Sequence, residues 1–141
     1  VFSCTWHGIP LIYSGQELPV TRRLKFFDKD TIEWKDDILF HDFYKTLLHL
    51  RKTNKALSAG INSLPKLIEG AAQKNLMAFY RIMEDNMVLV FINMGKEATQ
   101  FEFNAVEFFG SFTNVFNGEK IIWSNVGVVQ LEPGEYLIFE K

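Results

Sequence analysis

The sequence holds a single cysteine, Cys4, which excludes an internal disulfide framework and fits a reducing, cytoplasmic setting without fixing the compartment. Positive charge is not in excess. Fifteen Lys and Arg stand against 17 Asp and Glu, a net charge of −2, whereas nucleic-acid partners call for a basic surface. No run approaches the roughly 18 apolar residues of a membrane span. No secretory leader pattern opens the sequence. Glycine-rich phosphate loops, Ser-His-Asp arrangements, internal repeats and low-complexity stretches are absent as well. What the 141 residues do have is 48% hydrophobic content and 15% aromatics, with 14 phenylalanines, enough for a sizeable core.

Two halves follow different periods. In the first, "IPLIY" (Ile9 to Tyr13) is a continuous apolar run, the pattern of a parallel strand buried on both faces, and Ser14 and Gly15 stop it. Residues from Pro19 to Asp37 mix charged and aromatic side chains without a period and read as a loop. In "DDILFHDFYKTLLHLRKTNKAL" the residues Phe40, Phe43, Tyr44, Leu47, Leu48 and Leu50 recur at three- and four-residue steps, the apolar stripe of a helix. Asp36 or Asp37 is expected to cap its start, Arg51 and Lys52 to favour its end, and Gly60 to close the segment.

After Gly60 the period is two. "NLMAFYRIM", "NMVLVFINM", "TQFEFN", "FTNVF", "KIIWS", "GVVQL" and "EYLIFE" read as short strands separated by turn signals, with Asn117-Gly118 the strongest tight-hairpin signal. Short strands at this spacing indicate an antiparallel sandwich or barrel. The expected division is 1–60 and 61–141, with the boundary between Gly60 and Leu64. A single strand and helix cannot cover both faces of a parallel strand. The rest of that sheet is therefore expected outside this sequence.

The segment "GIPLIYSGQE" resembles the alpha-amylase family of glycoside hydrolases, where a Gly-Ile-Pro strand closes the (β/α)8 barrel. "RRLKFFDKDTIEW" is similar to the loop after that strand in maltodextrin-degrading members, and "FYKTLLHLRKTNKALSAG" to the last barrel helix. The β-rich remainder, ending in "LEPGEYLIFEK", resembles the C-terminal β-sandwich called domain C. The resemblance implies a mainly β fold: an antiparallel sandwich preceded by one long helix and the last βα unit of a truncated TIM barrel. For a parent enzyme it implies retaining hydrolysis or transfer at α-1,4-glucosidic bonds of starch-like glucans or maltodextrins. The family's three catalytic carboxylates belong to earlier strand ends, so no catalytic residue is expected here and the chain alone is expected to be inactive.

Tyr13, Gln16 and Glu17 are the expected substrate-binding residues of the parent, because barrel enzymes keep their chemistry at this strand end. Trp123 is a candidate sugar platform, and with Trp34 it defines a second reading, a carbohydrate-binding module for starch-like glucans. Tyr80 and Tyr136 are further candidates for stacking. The loop carboxylates Asp28, Asp30, Glu33, Asp36 and Asp37 form no evident catalytic pair, which would have to face each other across roughly 5–9.5 Å. Cys4 and His7 lack the further ligands that zinc needs, so no metal and no cofactor is expected. An α-glucan bound through the parent is the expected partner, with neither nucleic acid nor membrane. Residues 1–35 are expected to be poorly ordered, rearranged or paired with a second copy as a homodimer, since their covering neighbours lie elsewhere.

Overall fold

In the computed structural model every residue is described except Pro19 and Thr21, together with the side chain of Gln73. The expected loop begins at Pro19, which thus lies outside the described residues. Seven strands form where alternation places them: β2 (Leu76–Met83), β3 (Asn86–Asn93), β4 (Thr99–Asn104), β5 (Ser111–Asn114), β6 (Lys120–Ile122), β7 (Val126–Leu131) and β8 (Tyr136–Glu140). A two-residue strand, β1 (Lys66–Leu67), precedes them. The fold is mainly β and antiparallel, with one six-stranded sheet in the order β1-β2-β3-β8-β5-β6 and a second sheet of β4 and β7.

The two sheets enclose an aromatic core. Phe91, Phe101, Phe103, Phe108, Phe112, Trp123 and Phe139 meet there with Leu76, Leu89 and Leu131. Phe103 pairs in register with Gly127, and a Cβ at Gly127 would lie 2.3 Å from the ring. Only glycine lets that ring lie across the opposite strand.

The large sheet has a second covered face, formed by Phe79, Val88, Val90 and Ile138. Helix α2 (His41–Thr53) lies against it through Leu47 and Leu50, followed by Ala56 and Leu57. This explains the unbroken apolar run of β3. Leu89 and Phe91 enter the aromatic core while Val88 and Val90 meet the helix side. Burying each such side chain contributes about 1.5–3 kcal/mol before entropy is charged.

Several local expectations shift. Helix α2 begins at His41 behind the N-cap Phe40, which makes no side-chain cap bond, so neither Asp36 nor Asp37 caps it. Asp42 supplies the negative charge of the first turn instead, and Arg51 and Lys52 stand in the last turn as expected. The helix stops at Asn54, whose Oδ1 accepts from the Ala56 amide and starts a short 3-10 turn, well before Gly60. Of the six stripe residues, Leu47 and Leu50 are buried, while Phe40 and Leu48 remain exposed. The tightest hairpin is not at Asn117-Gly118. Strands β2 and β3 are joined by Glu84 and Asp85 alone, with Glu84 in the left-handed region at φ +55°. Five residues connect β5 and β6 there, and Asn114 Oδ1 accepts from the Phe116 amide within that longer turn.

The opening segment departs most. Ile9–Tyr13 forms no strand, and Ile9 is 86% exposed. A strand exists only against a partner, and none lies beside this run among the described residues. Residues before it do find a place: the single turn α1 (Phe2–Thr5) buries Cys4 and Thr5 against the helix side of the sandwich.

Candidate functional site

The stop after Tyr13 is a compact turn, and its backbone explains the residues in it. The Gln16 amide donates to the Tyr13 carbonyl at 2.9 Å, and the Leu18 amide to the Gly15 carbonyl at 3.1 Å. Gly15 takes φ +83° with the Ile32 side chain closing over it, so glycine is needed for both conformation and space. Gln16 turns its side chain back, and its Oε1 accepts from the Tyr13 amide at 3.1 Å. Glu17 contributes its carbonyl, which accepts from the Phe40 amide at 3.1 Å and ties the turn to the start of α2.

The three residues expected at a sugar cleft are therefore together. Tyr13 is exposed, Gln16 is exposed at the turn and Glu17 is half-buried. They sit beside a cleft of ≈ 350 Å³ whose walls include Tyr13, Gln16, Leu18, Leu24 and Phe40. Arg22 reaches the same cleft and is held by Asp30, with a bidentate pair at 2.7 and 3.0 Å. The Lys25 and Thr31 amides also donate to Asp30. The Arg22 guanidinium and these amides hold the Asp30 carboxyl well below the usual carboxylate range, and Arg22 is raised in return. That carboxylate is committed to the loop. No group of three or more His, Cys, Asp or Glu close enough to hold a metal occurs among the described residues.

Trp123 is elsewhere. It is 6% exposed, with its ring edge-on to Phe103 and Phe139 and tilted on Phe112. Hemmed in this way it offers no free face to a sugar, so the stacking platform expected of Trp123 is not present in this structure. Its indole N–H is buried without a partner. Tyr136 is packed between Phe43 and Phe116. Tyr80 leans on Phe108 and donates to Glu107 Oε2 at 2.9 Å; burial and this carboxylate push its phenol up to about 12. Trp34 alone of these candidates keeps a largely exposed ring.

The sequence leads to the expectation that the opening segment lacks its covering neighbours but does not name the apolar side chains left exposed. Ile9, Leu11, Phe26, Phe27 and Leu39 all face outward, and Phe27 is 94% exposed. The aromatic-charged mixture of the loop carries that signal, since "LKFFD" places two phenylalanines where no period demands them.

No family model matches the chain. It is 26% identical over 130 residues to Alpha-amylase 2 of Dictyoglomus thermophilum, a match that covers 84% of this chain and 21% of that protein. It is 25% identical over 147 residues to Maltogenic alpha-amylase of Bacillus acidopullulyticus, covering 99% of this chain and 24% of that protein. Among solved structures, the noncanonic maltogenic alpha-amylase AmyB from Thermotoga neapolitana superposes with a TM-score of 0.77. The identity there is 19%, with 99% of this chain and 34% of that chain covered. The chain spans about a fifth to a quarter of the curated relatives it matches. The chain is thus similar in sequence to two alpha-amylases and shares its mainly β, antiparallel fold with a maltogenic alpha-amylase.

Proposed function

We propose that this chain is the non-catalytic C-terminal portion of an amylase-type glycoside hydrolase acting on α-1,4-glucans or maltodextrins, in which it caps the barrel. The observation that carries this reading is the contrast between its two ends. The sandwich is closed around its own aromatic core, whereas the opening segment leaves Ile9, Leu11, Phe26, Phe27 and Leu39 exposed. Large apolar side chains left exposed in such number within one segment support the reading that another body covers it. The occupant proposed is the remaining barrel of a longer polypeptide, consistent with the short span of the relatives that the chain matches. Residues 1–60 belong to that barrel and 61–141 to domain C. In the parent, Tyr13, Gln16 and Glu17 border the α-glucan cleft, with the carboxylate pair supplied from outside this chain.

Native electrophoresis through gels containing soluble starch tests the reading against a sugar-binding module. The chain should migrate at the same rate with and without starch. Retardation that Trp34→Ala removes would overturn the structural role in favour of carbohydrate binding, because Trp34 is the exposed indole.

A further inference from the structure

Two arginines that take no part in the turn converge on the first eight residues. Arg81 lies in the middle of β2 and is fully buried. Its Nε donates to the Ser63 carbonyl at 2.7 Å. Its Nη1 donates to the carbonyls of Thr5 and Trp6 at 3.3 and 2.9 Å. Its Nη2 donates to the Ser58 carbonyl at 2.5 Å and to Ser63 Oγ at 2.6 Å. All five N–H groups of the guanidinium are thereby engaged. Arg51, in the last turn of α2, reaches the same segment from the other side. Its Nη1 donates to the Cys4 and Trp6 carbonyls at 3.0 and 3.3 Å, and its Nη2 to the Gly8 carbonyl.

The acceptors are backbone carbonyls and one hydroxyl. The ion pairs among the described residues lie elsewhere, at Arg22–Asp30 and Lys55–Glu84. Burial pulls the Arg81 guanidinium down to about 10, with repulsion from Arg51 adding to the effect, and it stays charged near neutral pH. A buried charge is costly unless its hydrogen bonds are complete. Here they are completed by the last carbonyls of α1, the groups that a helix end leaves without intrahelical donors. The Trp6 carbonyl accepts from both arginines and so joins helix, strand and N-terminal segment at one atom.

We propose that Arg51 and Arg81 form a two-guanidinium latch that fixes residues 1–8 to the β-sandwich. The planar fork is essential to the latch. Lysine brings three donors on a point charge and does not span carbonyls from separate segments. The inference goes beyond the amylase reading and holds whatever the turn binds.

Hydrogen–deuterium exchange on the full chain tests it, because the amides of Cys4, Thr5 and Trp6 are bonded within the latched turn. Arg51→Ala, Arg51→Lys and Arg81→Lys should each speed exchange in peptides covering residues 2–8 by about tenfold or more. Peptides from β3 and β8 should stay within about twofold of the parent chain. Arg51 lies at the helix edge, so its two variants decide the matter even if Arg81→Lys fails to fold. Unchanged rates over 2–8 in both Arg51 variants would overturn the latch. So would an equal rise across β3 and β8, which would make the arginines general folding residues. Parent-like rates in Arg51→Lys beside fast exchange in Arg51→Ala would overturn the fork and leave charge alone.

Discussion

The indole of Trp6 meets the ring of Phe79 edge-on, with 4.9 Å between centroids and 84° between planes. Phe2 stacks on the same indole at 5.0 Å. Through these contacts the start of the chain rests on a strand of the sandwich, and the ring of Phe79, fully buried, is the floor. Phe79→Ala should lower stability by about 3–5 kcal/mol, the usual result of emptying a buried aromatic site. Urea unfolding with the slope held fixed measures it. A loss below about 1 kcal/mol would show that Phe79 is not the floor described.

Among the glycines, Gly127 is the one where an added Cβ would come closest to a neighbouring side chain. Gly127→Ala forces the Phe103 ring out of place and should cost about 1–3 kcal/mol. Gly60 is the matched control. Nothing lies within 4 Å of a Cβ there, so Gly60→Ala should stay within about 0.5 kcal/mol. Equal effects of the two substitutions would contradict the close approach of Phe103.

The loop around Arg22 should depend on acid. Asp30 has its carboxyl lowered in the folded state, chiefly by the Arg22 hydrogen bonds, so its contribution is complete above the ordinary carboxylate range. That contribution is lost as pH falls below about 4 toward the lowered folded value. An NMR titration of the Lys25 amide, which donates to Asp30, should show no change above that range and a shift well below it. A midpoint at an ordinary aspartate value would break the account of this loop.

Tyr80 behaves in the opposite sense. Burial first and the Glu107 carboxylate second raise its folded value to about 12, above the ordinary phenol value. The protonated phenol therefore favours the folded state fully below about pH 10. That contribution fades as pH climbs from about 10 through about 12. Tyr80→Phe should remove a component that titrates above the ordinary phenol range from the absorbance titration of the tyrosines. Loss of a component from the ordinary phenol range instead would contradict the raised value.

Most of the sandwich was legible because its strands alternate against one buried face or, as in β3, are covered on both. Strand β1 was not, since two residues carry no period and both side chains are exposed. Ile9–Tyr13 has the composition of a buried strand, yet a strand is a relation between segments and this one has no partner beside it among the described residues. Arg81 was invisible for a different reason. Within "AFYRIM" a lone arginine reads as a solvent position, but the β2 register sends it to the helix side, under residues 1–8. Trp123 was misjudged because sequence gives an indole's location in a strand and not how many phenylalanines surround it. At the turn, Gly15 was visible as a stop, while the bond from Gln16 back to Tyr13 appears only in three dimensions.

The central claim is that this chain provides scaffold and cleft wall but no chemistry of its own. The most direct measurement is the release of reducing ends from maltodextrin by the purified chain over a range of protein concentrations. The account predicts none above the buffer blank. Release proportional to protein concentration, and abolished by Glu17→Gln, would contradict it, because the chain would then carry a working carboxylate at the turn.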